Sequence, residues 1–332
     1  MKLTNYSSLE LELFKPLDEE AFNSLTLRIY DLQQKTVPIY QNYIKSLPKR
    51  LQHPKHYSKI PFLPIEFFKT HSVINPERQP EITFYSSGTT GATPSRHFVA
   101  NRKWYDKIYL KTFNRFYGRP DQYCILALLP SYLSRKGSSL VEMVSGLIQQ
   151  SNHPQSGFYL DEFDELYRVL LSLKSRSQKT ILLGVTFGLL DFIDRFQMDF
   201  PELIVMETGG MKGRRKELLR GEVHDLLKKA FGIKQVHSEF GMTELLSQAY
   251  SKTQGIFYTP PQMKVLIRDI NDPFSILGSG RSGGINIIDL GNLYSCSFIA
   301  TQDLGKTHPD DSFEVLGRFD NSDVRGCNLM VD

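Results

Sequence analysis

The sequence predicts an α/β protein in which parallel sheets flanked by helices are followed by a β-rich C-terminal part. Three observations predict it. Between residues 122 and 238, apolar runs of strand length alternate with amphipathic runs of helix length, the signature of a parallel sheet covered on both faces. Past about residue 255 the helical patterns stop, and period-2 runs follow one another with Gly, Asn and Asp turns between them. The 332 residues, 40% apolar and 23% charged, suit one large globular domain.

The elements read in order as follows. Residues 18–34 form a helix with Asp18 as N-cap and Phe22, Leu25, Ile29 and Leu32 at helical spacing. From Pro38 through Pro48, Pro54, Pro61 and Pro64 to Pro80, repeated prolines allow only short helices and extended connectors. The run 81–85 is a strand of the parallel sheet, and 97–118 is the helix after it. Strands then fall at 122–129, 179–185, 202–208 and 233–238, with helices at 137–150, 160–175, 186–196 and 214–232. The closing strands are 262–270, 282–290, 293–301 and 312–319. The expected organisation is an N-terminal helical, Pro-punctuated segment (1–80), an α/β core (81–254) and a β-rich subdomain (255–332) within one compact domain.

Charge and composition exclude several classes. A net charge of +4, with basic residues interleaved among acidic ones, gives no electrostatic footprint for nucleic acid. Cys124, Cys296 and Cys327 are an odd, widely spaced set, which fits neither a disulfide framework nor a zinc site. No window has the length and apolarity of a membrane span, and the first thirty residues lack an apolar signal region, so a cytoplasmic protein is expected.

The densest local signal is Tyr85 to His97, "YSSGTTGATPSRH". Gly88 and Gly91 free the backbone to turn its N–H groups toward one point, and Ser86, Ser87, Thr89 and Thr90 add short hydroxyl donors. Such a nest suits phosphate oxygens. The same composition also suits a flexible surface loop. The spacing G-x-x-x-x-G-K-[ST] is absent, so this is not the P-loop of kinases and GTPases.

The order of residues in this loop resembles the phosphate-binding loop of the adenylate-forming enzymes (acyl-CoA synthetases, adenylation domains, luciferases). Three further stretches, in the same order as in that superfamily, resemble its other signatures: "EFGMTE" (239–244), "ATQDLG" (300–305) and "LGRFD" (316–320). Within the superfamily the chain looks like the acyl-protein synthetases of the LuxE type, the fatty-acid-activating component of a bacterial fatty acid reductase. That likeness rests on the loop ending "SRH", on "LPSYLSRKGSSL" (129–140), on the short length, and on the cysteine in "VRGCNLMV" (324–331).

The resemblance implies a large N-terminal adenylation domain, ATP and Mg²⁺ as cofactors, and a fatty or other carboxylic acid as substrate. Its product is an acyl-adenylate, and an acyl-accepting protein such as a reductase is the partner. Ser86, Ser87, Gly88, Thr89, Thr90 and Gly91 would grip the β- and γ-phosphates, with Arg96 in place of the usual lysine, or else standing as a surface cation. Phe240 and Gly241 would frame the adenine, with Gly209 and Gly210 of "ETGGMKGRR" passing beside it. Thr243 would meet the α-phosphate. Glu244 would hold Mg²⁺, although a Glu opening "ELLSQAY" also reads as the first acid of a helix. Asp303 would accept the ribose hydroxyls and Arg318 would reach the ribose or the α-phosphate. The superfamily's Thr-Gly-Asp is here Thr301-Gln302-Asp303, so the turn before the Asp is expected to differ. Tyr132 and Ser138 would stand at the carboxylate pocket, with Tyr132 equally able to cap the core. His237 would line the same pocket or be a satisfied buried histidine.

Adenylate-forming enzymes usually continue past the hinge into a small mobile domain that carries a catalytic lysine. This chain stops at Asp332, so that domain is expected to be absent. Cys327 would take the acyl group as a thioester; without the resemblance it reads first as an inert thiol in a short closing strand. Two other readings share the motifs: a ligase that hands the acyl group to coenzyme A or a carrier protein, and a non-catalytic acyl- or nucleotide-binding subunit.

Overall fold

The computed structural model describes residues 6–86, 93–130, 137–209 and 218–319. Among these the strands are β1 (Leu63–Pro64), β2 (Ile82–Tyr85), β3 (Arg96–Val99), β4 (Cys124–Leu128), β5 (Gly157–Phe158), β6 (Thr180–Val185), β7 (Ile204–Thr208), β8 (His237–Phe240) and β9 (Ala249–Ser251), then β10 (Met263–Arg268), β11 (Ser282–Asp289), β12 (Phe298–Thr307) and β13 (Phe313–Arg318). The α-helices are α1 (Tyr6–Glu12), α2 (Glu19–Thr36), α3 (Pro38–Ser46), α4 (Phe67–Thr70), α5 (Arg102–Tyr117), α6 (Ser139–Ser151), α7 (Phe163–Ser175), α8 (Thr186–Ile193) and α9 (Arg220–Phe231).

The larger sheet has the order β5-β4-β6-β7-β8-β9, parallel throughout except for the antiparallel pair β8–β9. Its central strands are apolar at nearly every position because both faces are covered. Cys124, Leu126 and Leu128 of β4 pack into one core, with Leu166 and Leu170 of α7, Leu190 of α8 and Leu227 of α9. Ile125, Ala127 and Leu129 face the other core, with Tyr105 and Ile108 of α5 and Met143 and Leu147 of α6. That second core continues into α2 and the smaller sheet, through Leu25, Ile29, Val265 and Ile287. The smaller sheet has the order β1-β12-β11-β10. β1 is parallel to the first half of β12, and β13 pairs the second half antiparallel.

Asp18 caps α2 as expected, accepting from Ala21 N at 2.8 Å. Residues 38–80 form short helices and connectors as expected. Three expectations fail, and one alternative reading falls with them. The strand at 82–85 is not part of the parallel sheet; it forms a separate hairpin with β3, in the register Ile82↔Val99 and Tyr85↔Arg96. The helix expected from residue 97 starts at Arg102. Residues 96–99 alternate half-buried and buried as a strand, and Asn101 caps the helix by accepting from Trp104 N at 3.0 Å. The strand expected at 293–301 begins only at Phe298, because residues 289–297 form a turn. No helix follows Glu244: the chain returns as β9, antiparallel to β8.

No helix among the described residues is long and apolar enough to cross a membrane.

Candidate functional site

The two sheets meet around the loop that leaves β8. Strand β8 ends at Phe240, and Gly241 to Gln248 carry the chain round before β9. A Cβ on Gly241 would come within 2.4 Å of Glu239 Oε1, so any larger residue there would have to displace that buried carboxylate. Glu244 is therefore a loop carboxylate and not the first acid of a helix.

Its side chain is buried, 5% exposed. Burial pushes its pKa up, while a hydrogen bond from Ser95 and the positive charges of Arg318 and Lys69 pull the other way. The charges on α4 and at the end of β13 thus act on this carboxylate from a distance.

Arg318 stands directly opposite Asp303 across β12 and β13, and its Nε donates to Asp303 Oδ1 at 3.2 Å. Asp303 is 6% exposed, whereas the Arg318 side chain is 79% exposed. Burial raises the Asp303 pKa, and Arg318 and then Arg268 oppose that rise. A bulge between Leu304 and Gly305 adjoins the pair; bulges re-aim side chains at such points. Thr301, Gln302 and Asp303 lie within the strand, not in a turn. Thr301 Oγ1 accepts from Asp303 N at 3.1 Å and donates to Ile285 O at 2.9 Å, and Gln302 pairs with Glu66.

The Ser/Thr/Gly loop is closed at its base. Ser86 Oγ accepts from Ser95 N at 2.8 Å, and Ser86 N donates to Ser95 O at 3.0 Å. The Ser86 hydroxyl keeps its own hydrogen to donate. Tyr85 N donates to Gly137 O at 2.8 Å, so this loop and the segment ending at Lys136 are tied together where they rejoin the fold. Gly137 has φ +80°, and a Cβ there would come within 2.6 Å of the Tyr85 ring. Arg96 is half-buried on β3, its guanidinium 5.7 Å from the Phe98 ring.

His97 is fully buried and bridges two stretches far apart in sequence. Its Nδ1 donates to Thr243 O at 2.9 Å, which leaves Nε2 to accept from Ser295 Oγ at 2.8 Å. Burial pushes its pKa down to about 4, partly offset by the bond to Thr243. The ring is neutral near pH 7, and with both nitrogens engaged it holds Thr243.

Phe240 packs against Phe257 and Phe313, with centroids at 5.8 and 5.4 Å. Among the described residues, nothing lies within 4 Å of the place a Cβ would take on Gly209. Beside it, Thr208 Oγ1 donates to the buried Glu239 at 2.7 Å. Ser138 caps α6, accepting from Val141 N at 3.4 Å. His237 begins β8, three residues before Phe240, and its Nδ1 bonds Tyr117 Oη at 3.0 Å. Burial and then Lys252 push its pKa down to about 4.

The structure thus pairs Arg318 with Asp303 and places Thr243, Gly241 and Glu244 on the loop that follows Phe240. Arg96 and Ser138 lie on adjoining elements, and His237 lies at the far end of β8. Ser87, Gly88, Thr89, Thr90, Gly91, Tyr132, Gly210 and Cys327 lie outside the described residues. Sequence reasoning missed that Ser95 and Lys69 act on the charge of Glu244. Ser95 was visible inside the quoted loop; Lys69 carries no local signal, since only folding brings α4 here.

A divalent cation fits this donor set in one manner. Among the described residues no three His, Cys, Asp or Glu side chains converge. Of the described residues, Glu244 would serve, and a phosphate ligand would supply the remaining oxygens, the usual arrangement for Mg²⁺.

No protein-family profile matches the sequence, and no curated protein matches it. Solved structures do match. A 2-hydroxyisobutyryl-CoA ligase in complex with 2-HIB-AMP and CoA aligns with a TM-score of 0.66 at 13% identity, over 91% of this chain and 68% of that one. ATP-bound MatB from Rhodopseudomonas palustris aligns with a TM-score of 0.52 at 18% identity, over 71% of this chain and 47% of that one. A long-chain-fatty-acid-CoA ligase, FadD1, from Archaeoglobus fulgidus aligns with a TM-score of 0.53 at 15% identity, over 74% and 52%. The chain spans about half the length of MatB and of FadD1. Parallel strands with helices on both faces, a second antiparallel sheet, and this alignment together give the fold: it is that of the large adenylation domain of adenylate-forming enzymes.

Proposed function

We propose that the chain activates a carboxylic acid with ATP and Mg²⁺, giving an acyl-adenylate and pyrophosphate. The observation that carries this reading is the buried Glu244 on a loop that His97, two residues past Ser95, ties at Thr243 to the exit of the Ser/Thr/Gly loop, with the Asp303–Arg318 pair on β12 and β13 as the second station. An oxygen of the substrate carboxylate attacks the α-phosphorus, and the bond from that phosphorus to the β-phosphate oxygen breaks. Asp303 accepts from the ribose hydroxyls, and Arg318, largely exposed, has donors left for the ribose or α-phosphate. Thr243 meets the α-phosphate from a backbone fixed by His97. Ser86 through Gly91 and Arg96 hold the outgoing pyrophosphate; Phe240, Gly241, Gly209 and Gly210 frame the adenine. Mg²⁺ at Glu244 would neutralise phosphate charge. Positioning and charge neutralisation are what the chain contributes to this step.

The acid is a fatty acid in this reading, with Tyr132, Ser138 and His237 toward its pocket. The Cys327 thiolate then attacks the acyl carbonyl; a thioester forms, AMP leaves, and the acyl group passes to a partner reductase. The other thiols do not suit the task. Cys124 and Cys296 are buried, and burial pushes them up to about 11 and about 12. A second reading, transfer to coenzyme A or a carrier protein, is favoured by the neighbour solved with both 2-HIB-AMP and CoA.

Labelled fatty acid with ATP and Mg²⁺ tests the pair of readings. The first predicts a hydroxylamine-sensitive label on the chain, lost in Cys327→Ser while adenylate formation continues. Turnover that needs free coenzyme A and leaves no label establishes the second.

A further inference from the structure

The loop that carries Thr243 and Glu244 is held from beneath by a buried turn between β11 and β12. Asp289 and Asn292 are both fully buried. Asp289 Oδ2 accepts from Leu246 N and Ser247 N, each at 2.9 Å. Its Oδ1 accepts from Ser247 Oγ at 2.7 Å and Gly291 N at 2.9 Å. No basic side chain bonds this carboxylate among the described contacts; its partners are N–H and O–H dipoles. Asn292 Nδ2 donates to Glu244 O at 2.8 Å and to Cys296 O at 3.0 Å, and its Oδ1 accepts from Leu246 N at 3.2 Å. Ser295 of the same turn donates to His97, which holds Thr243. Residues 243, 244, 246 and 247 therefore all hang, directly or through His97, on one turn.

This is more than the loop's own connectivity requires. Backbone hydrogen bonds within the loop are sparse, with Leu245 N donating to Met242 O at 3.1 Å. A loop without a helix or ladder of its own takes its conformation from side chains that satisfy its amides. Here the side chains that do so come from a turn more than forty residues later in the chain.

We propose that Asp289 and Asn292 are positioning residues that fix the backbone presenting Glu244, and so set how strongly the site uses a divalent cation. The proposal rests on the reading of Glu244 given above. Loosening the turn lets the Glu244 carboxylate wander, and the metal-dependent part of nucleotide binding falls more than the part that depends on Asp303.

The experiment is calorimetric titration of the full chain with ATP, in Mg²⁺ and in EDTA, for wild type, Asn292→Ala and Ser247→Ala, with thermal melting of each. Asn292→Ala is expected to weaken binding in Mg²⁺ by about tenfold, the size of one net hydrogen bond, and binding in EDTA by less than about twofold. Ser247→Ala, which removes one hydroxyl from Asp289, gives a smaller loss of the same kind and keeps the test open if Asn292→Ala does not fold. Ile287→Val, a trim of the buried core on the same strand, lowers the melting temperature without separating the two conditions. Equal losses with and without Mg²⁺, or none in either variant, overturn the positioning role while leaving the nucleotide site standing. Wild-type protein that binds no ATP in Mg²⁺ overturns that site and the inference with it.

Discussion

At the residue scale, the buried His97 and Glu239 and the half-buried His237 make opposite contributions to stability. His97 and His237 are both pushed down to about 4 by burial. The folded state therefore binds fewer protons than the unfolded state between about pH 4 and 6.5. Their contribution is fully present above the unfolded pKa and is lost as pH falls toward 4. Glu239 is pushed up to about 7, chiefly by burial and further by Glu207, against the hydrogen bond from Thr208. Its contribution is fully present below its ordinary value of 4.5 and is lost as pH rises through about 7. Denaturant unfolding followed across pH 4 to 7.5 checks both signs. His97→Asn should flatten the acid limb, by an amount on the order of 3 kcal/mol or less. Glu239→Gln should steepen the rise of stability with pH between 4.5 and 7. A steeper acid limb in His97→Asn contradicts the burial argument.

At the element scale, what the sequence hid was hidden by overlapping periods. Residues 96–99 are four alternating positions next to the sixteen-residue α5, and the longer helical pattern absorbed them. The hairpin β2–β3 matters to the account because its two strands hold the Ser/Thr/Gly loop at both ends. The turn 289–297 was hidden differently: its apolar Leu290, Leu293 and Cys296 are buried, so composition resembles a strand. Its conformation comes from Asp289, Asn292 and Gln33, partners that local sequence does not expose. The end of β8 was legible, because Gly241 is favoured by close packing as well as by the motif. Gly241→Ala drives a methyl group into Glu239 and toward Gln248. It should destabilise the protein by about 1–3 kcal/mol, as overpacking does, and thermal melting measures the shift. An unchanged melting temperature would mean the Glu239 carboxylate yields to the methyl group.

At the scale of the whole molecule, the α/β core and the later antiparallel sheet were legible because both obey simple rules. Buried parallel strands are apolar throughout, and half-covered antiparallel strands such as β10 alternate, with Met263, Val265 and Ile267 inward. The candidate site was legible where motif and fold coincide, at Thr243, Glu244, Asp303 and Arg318. It was not legible where function needs distant packing, as with Lys69, Ser95, Asp289 and Asn292. Those residues are joined only when the smaller sheet lies against the loop leaving β8.

The central claim is that this junction adenylates a carboxylic acid, and acid-dependent exchange of labelled pyrophosphate into ATP tests it without reference to the final acceptor. Wild-type protein with Mg²⁺ and a panel of fatty acids should exchange, and Glu244→Gln should lower the rate by roughly a hundredfold, equivalent to about 2.7 kcal/mol of barrier. Exchange by Glu244→Gln at the wild-type rate, or no exchange by wild type with any acid, would contradict the account.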